Sequence, residues 1–204
     1  MVEVALDKGD IVVATARKPA SLDDLVQQHS EKDRLLVLPL DVTQPENVID
    51  AFAEATRTFG HIDIVLNNAG FGHPGELEGM EESKARAILE TNFWGAISVT
   101  KEAVRCFRET NPPGAGGRLI QMSSYSGLVG LPQECPSIAH RSSVLLFLFA
   151  QLQLCHSITP FLRLYAALEG ASEALAAEID PAWNIKVSLR FCHGAQAYCL
   201  LVFL

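Results

Sequence analysis

The sequence predicts an α/β fold: a doubly wound parallel sheet with helices on both faces. Two observations predict it. Short β-branched runs alternate with helical patterns along most of the 204 residues. In addition, the apolar run Ile62-Asp63-Ile64-Val65-Leu66 passes directly into Asn67-Asn68-Ala69-Gly70. Two short amides, a small residue and a glycine at the end of a buried strand are how such a sheet presents backbone to a flat ligand.

The elements follow in order. Ile11 to Ala16 is a β-branched run after Gly9-Asp10 and reads as a buried strand. Ser21 reads as an N-cap, because Leu22 and Leu25-Val26 follow at helical spacing. Leu35 to Leu40 is a second strand, ended by Asp41. Thr43 to Phe59 is a helix with Val48, Ala51, Phe52 and Ala55 on one face and Gly60 as its stop. Ile62 to Leu66 is the third strand, and 71–79 is a loop rich in glycine. One long helix is predicted over 81–109, ended by Asn111-Pro112-Pro113-Gly114. Arg118 to Met122, Leu164 to Ile179 and Ile185 to Leu189 supply a strand, a helix and a strand. With no internal repeat or low-complexity tract, residues 1–204 read as one domain.

Composition narrows the function classes. Hydrophobic residues make up 49% and charged residues 20%, as in a globular chain with a filled core. The net charge is −8 and Lys and Arg form no stripe, which argues against a nucleic-acid partner. The greasiest stretch, Val144 to Leu154, is interrupted by Gln151 and Gln153 and is too short to span a membrane. No export signal is visible, so the expectation is a cytoplasmic protein whose five cysteines are reduced thiols. Neither the cysteines nor the histidines have metal-ligand spacing, and no metal site is expected.

Six segments in a fixed order resemble the short-chain dehydrogenase/reductases, which have a Rossmann-type domain and use NAD or NADP. Val12 to Arg17 looks like the second strand with a basic end. Leu40-Asp41-Val42 looks like the adenine-side turn. Asn67-Asn68-Ala69-Gly70 is the most diagnostic tetrapeptide. Thr91-Asn92-Phe93-Trp94-Gly95 is similar to the long-helix motif that carries an active-site Asn. Met122 to Gly127 matches the strand end with a catalytic Ser, and Ala167 to Leu175 resembles the helix after the catalytic Tyr and Lys. The resemblance covers roughly 1–132 and 164–189.

The resemblance implies an oxidoreductase that moves a hydride between a nicotinamide cofactor and a small carbonyl or alcohol substrate. It implies catalytic roles for Ser124 and Asn92, and cofactor contacts from Arg17, Asp41, Val42, Asn68, Ala69 and Gly70. A cation at Arg17 favours the 2′-phosphate of NADP over NAD. Other readings of these residues stay open: Asp41 as a strand-end cap, Asn67 and Asn68 as turn residues, Ser124 as a turn serine, and Arg17 as a solvated cation. The helices around 81–109 and 164–179 resemble surfaces that pair in family tetramers, which leaves room for a homo-oligomer.

Three parts depart from the family pattern. Val2 to Lys8 resembles the end of the family's first helix, so the sheet is expected to lack its first strand and glycine-rich turn, leaving two neighbouring edges exposed. The Tyr-x-x-x-Lys pair is not identifiable. Counting back from Ala167 gives Phe161 and Tyr165, and counting forward from Ser124 gives Ser137 and Arg141. Tyr125, Tyr165 and Tyr198 read as packing residues. Residues 133–163 and 190–204 are unlike the family and hold four of the five cysteines. Little or no activity is therefore expected of the chain as written. The alternatives are a non-catalytic nucleotide-binding protein, or an interaction protein using apolar patches at 143–155 and 197–204. Gly114-Ala115-Gly116-Gly117 precedes a strand rather than joining a strand to a helix, so it is not a phosphate loop.

Overall fold

The computed structural model describes residues 1–29, 33–72, 80–124, 160–192 and 200–203. In chain order the elements are α1 (Val2–Lys8), β1 (Val12–Ala16), a 3-10 turn (Pro19–Leu22), α2 (Asp23–Gln28), β2 (Leu35–Pro39), α3 (Pro45–Phe59) and β3 (Ile64–Asn67). Then come α4 (Glu82–Leu89), α5 (Ala96–Arg105), β4 (Gly117–Ser124), α6 (Pro160–Glu178), β5 (Ile185–Cys192) and β6 (Leu200–Phe203). The strands form one six-stranded sheet in the order β2-β1-β6-β3-β4-β5.

β1 pairs with β2, β3 with β4, and β4 with β5, all parallel. β6 is antiparallel to both neighbours, β1 and β3. The two edges that the sequence led us to expect exposed are therefore paired with each other's intermediary. The central position is filled by β6, whose residues 200–203 pair with both strands. Residues 143–155, the other expected patch, lie outside the described residues, as do Ser137 and Arg141.

Both faces of the sheet are covered. On one face Val13, Val65 and Leu119 pack with Val48, Phe52 and Ala55 of α3 and Val99 and Ala103 of α5. On the other, Val12, Ala14 and Leu66 pack with Ala5 and Leu6 of α1. Burial on both faces explains why all five residues of β1 are buried and apolar or nearly so. The α3 face shows the energetics: burying one side chain the size of Phe52, 2% exposed, is worth about 1.5–3 kcal/mol.

Local chemistry sets several boundaries differently from the sequence pattern. Ser21 does not cap α2; its hydroxyl donates to the Lys18 carbonyl at 2.7 Å, which closes the 3-10 turn instead. Pro45 stands at the first turn of α3, where its missing N–H costs nothing. The long helix expected over 81–109 is interrupted by π-helical turns at Glu90–Gly95 and Cys106–Thr110. The Asn111-Pro112 stop falls where predicted. Asn111, buried, ties three backbone groups together: it donates to the carbonyls of Ile62 (2.6 Å) and Gly116 (2.8 Å) and accepts from the Ile62 amide (3.1 Å). Gly117 begins β4, so the glycine cluster before it lies at the amino end of that strand.

Candidate functional site

A doubly wound sheet opens a crevice where the chain reverses its direction of travel across the strands. Here the chain goes from β1 to β2 on one side, then crosses back to β3 on the other. β1, β2, β3 and β4 run in the same direction, so their carboxyl ends share one edge of the sheet. At that edge a cleft of about 330 Å³, open to solvent, is lined by Thr15, Arg17, Leu40, Asp41, Val42, Ala69, Gly70, Phe71 and Thr91.

The turn after β2 is built by Asp41. Its Oδ1 accepts from the Thr43 amide at 3.0 Å and from the Thr43 hydroxyl at 2.7 Å. This Asx-type turn leaves one carboxylate oxygen for other partners and presents Val42 to the cleft. The cap reading of Asp41 therefore holds, and Asp41 lines the cleft as well. Behind Val42 lies Gly95: a Cβ there would stand 2.6 Å from Val42 Cγ2 and 3.2 Å from the Val42 carbonyl oxygen. Only a glycine lets the π turn approach the β2 end this closely.

The far wall begins at Asn67. Its Nδ2 donates to the Ala96 carbonyl at 3.0 Å and pins the end of β3 to the start of α5. The same carbonyl accepts from the Thr100 hydroxyl (2.8 Å), which in turn accepts from Gln121 Nε2 (2.6 Å) on β4. Asn92 lies buried in the π turn, with Oδ1 accepting from the Phe71 amide at 3.1 Å and Nδ2 donating to the Phe71 carbonyl at 2.9 Å. Both amide atoms of Asn92 thus hold the loop after β3. A Cβ on Gly70 would come within 3.3 Å of Asn92 Oδ1, so the glycine keeps this contact close.

Of the residues singled out from the sequence, Arg17, Asp41, Val42, Ala69 and Gly70 line one cleft, with Arg17 exposed at its rim. Asn68 follows β3 directly but is not among the lining residues, and Asn92 stands behind the wall. Ser124 ends β4, half-buried and opposite Cys192 of β5, and is not among the lining residues. Its neighbour Ser123 is buried and donates to Glu169 Oε1 at 2.6 Å, which joins β4 to α6. Tyr165 of α6, read above as a packing residue, brings its hydroxyl to 3.5 Å from Asn92 Nδ2. Tyr125 and Tyr198 lie outside the described residues.

Sequence reasoning missed Thr15, Leu40, Phe71 and Thr91. Thr15 is on β1, two residues before Arg17, which follows the strand, so the strand period could have found it. Leu40 and Thr91 adjoin recognised motifs. Phe71 gave no local signal; its backbone is held by Asn92, 21 residues further along the chain.

The model of the family described as short chain dehydrogenase matches residues 1–144. The chain belongs to the short-chain dehydrogenase family. An uncharacterized oxidoreductase of Schizosaccharomyces pombe is 36% identical over 196 residues, covering 96% of this chain and 56% of that protein. The crystal structure of a short-chain dehydrogenase from Streptomyces avermitilis superposes with a TM-score of 0.70 at 27% identity, over 97% of this chain and 68% of that one. A structure of ElxO with NADP bound shares the fold, with a TM-score of 0.66 at 21% identity, over 86% of this chain and 60% of that one. The chain spans about half the length of the relatives it matches.

The cleft residues could hold one end of a dinucleotide: they offer a cation at Arg17, an acceptor at Asp41, the apolar Val42 and the backbone of Ala69-Gly70. A pyrophosphate would meet a different arrangement. β6 is antiparallel, so the chain enters the central strand at the cleft rather than leaving it there. No turn into a helix N-terminus can follow from that strand at this edge, and none borders the cleft between β1 and β3 among the described residues.

Proposed function

We propose that this chain binds NADP(H) at its adenosine end, as an oxidoreductase of the carbonyl/alcohol class with impaired or no turnover as written. The single observation that carries this reading is the cleft at the crossover between β1 and β3, lined together by Arg17, Asp41, Val42, Ala69 and Gly70. Arg17 would hold the 2′-phosphate, which favours NADP over NAD. The second oxygen of Asp41 would accept from the adenine amino group, and Val42 would pack beside the ring. Asn68, Ala69 and Gly70 would lie along the ribose side, with Asn92 holding their loop in place. When bound, the nicotinamide supplies the hydride. Ser124 would donate a hydrogen bond toward a substrate oxygen, where negative charge develops.

The antiparallel β6 favours a second version of this reading, in which adenosine is bound without catalysis. A strand that enters at the cleft provides no helix dipole for the pyrophosphate, so affinity rests on the adenosine end alone.

Titration of the purified chain with NADPH, followed by nicotinamide fluorescence, tests both. A saturable signal, weaker with NADH and reduced toward the NADH level in Arg17→Glu, is expected. No saturable signal with either nucleotide removes the binding reading. NADPH-dependent reduction of a carbonyl panel at rates ordinary for an enzyme, about 1–1,000 per second, removes the impaired one.

A further inference from the structure

Every backbone pairing that joins the two parts of the sheet passes through four residues. Val12, Val13 and Ala14 of β1 stand opposite Phe203, Val202 and Leu201. Ile64, Val65, Leu66 and Asn67 of β3 stand opposite Phe203, Val202, Leu201 and Leu200. β1 and β3 do not pair with each other. Without β6 the sheet is a β2–β1 pair and a separate β3–β4–β5 triple. The edges then facing each other belong to deeply buried strands: Val12, Ala14 and Val65 are 0% exposed and Val13 1%. Unpaired N–H and C=O groups are not tolerated at such a place, so the slot is either filled or lost.

The occupant is a segment apart. It is four residues long and runs against a sheet whose other strands are all parallel to one another. Its residues, Leu200-Leu201-Val202-Phe203, are apolar and contain no Gly or Pro. It joins β5 at the opposite side of the sheet through residues 193–199. Seven residues reach roughly 23–25 Å when extended. The three strand spacings from β5 to β6 need only about 14–15 Å. The tether therefore allows the tail to enter the slot after the parallel strands have formed.

The cleft depends on this segment as well. Thr15 of β1 and Arg17 just after it lie on one side of β6, and Ala69 and Gly70, just after β3, on the other. We propose that Leu200–Phe203 is a latch, a self-supplied strand whose insertion between β1 and β3 assembles the two halves of the sheet and sets the width of the cleft. The slot it fills accepts an extended apolar strand by backbone pairing. The consequence for nucleotide binding rests on the function proposed above; the latch itself does not.

The test removes residues 200–204 and follows amide hydrogen exchange. Protection of Val12–Ala16 and Ile64–Asn67 is expected to fall by about 100-fold or more, while β4 and β5 keep theirs. A Leu-Leu-Val-Phe-Leu peptide added in trans restores it. Unchanged protection in β1 and β3, or loss throughout the sheet with no rescue by peptide, overturns the latch. A second measurement leaves the tail in place. Ala14→Cys with Leu201→Cys, oxidised and mapped by peptide mass, is expected to form an intramolecular disulfide, since these residues stand directly opposite. A failure to form it, or a purely intermolecular bond, overturns the proposal. If the latch behaves as stated but the intact chain shows no saturable NADPH signal, the functional reading fails and the latch stands.

Discussion

Asn92 grips Phe71 by both of its backbone groups, at 3.1 Å to the amide and 2.9 Å to the carbonyl. One buried side chain on the helical layer thereby fixes the loop that forms a wall of the cleft. A polar residue inside a helix is locally unfavourable, and the π turn around Asn92 is the local form that carries it.

Replacing Asn92 removes two hydrogen bonds from a half-buried loop. Asn92→Ala is expected to cost about 1–3 kcal/mol in urea denaturation and to weaken NADPH binding with it. Asn92→Asp keeps the acceptor for the Phe71 amide but loses the donor, and falls between. An Asn92→Ala protein as stable as the parent would show that the loop holds itself.

Asn111 has the larger structural role. Three backbone groups, at Ile62 and Gly116, depend on it in a buried setting. Asn111→Ala is expected to destabilise by about 3–5 kcal/mol, with a matching fall in the urea midpoint and an unchanged slope. A loss under 1 kcal/mol would mean that water or a shifted loop replaces the amide.

Gly95 and Val42 are coupled by contact. Gly95→Ala places a methyl group against Val42 Cγ2 and is expected to cost about 1–3 kcal/mol. Val42→Ala removes the nearest obstacle, so the double variant is expected to recover part of that cost. A coupling of about 1 kcal/mol in a double-mutant cycle is the expected result, and simple additivity would contradict the contact.

Cys106 predicts an alkaline effect. Burial raises its thiol pKa to about 11 from an ordinary value of 9.0; the Arg105 guanidinium, which favours the thiolate, does not offset this. The folded state thus holds the proton that the unfolded state gives up. The contribution is fully present below pH 9 and is lost as pH rises from about 9 to 11. Stability of the parent is expected to fall on the order of 2 kcal/mol more than that of Cys106→Ala between pH 8.5 and 11. Parallel pH profiles for the two proteins would remove the effect.

Much of the architecture was legible because local pattern and tertiary need agree. The run at 11–16 is a buried strand and that at 35–40 a half-buried edge strand, and Val48, Ala51, Phe52 and Ala55 face the core at helical spacing. The cleft-lining residues Asp41, Val42, Ala69 and Gly70 were legible because they follow strand ends, where α/β chains place ligand contacts. Ser21 was misread because its hydroxyl has a nearer carbonyl to bond than a helix amide. Phe71 was invisible because its place in the wall is set by hydrogen bonds from Asn92, 21 residues away.

The sequence by itself determined the periodicities, the strand-end motifs and the family, all of which depend on residues near one another in the chain. Only the tertiary structure decided that Leu200–Phe203 stands between Val13 and Val65. The physical reason is that a central strand is chosen by which buried edges remain unpaired once the other strands have met, and no local pattern records those edges.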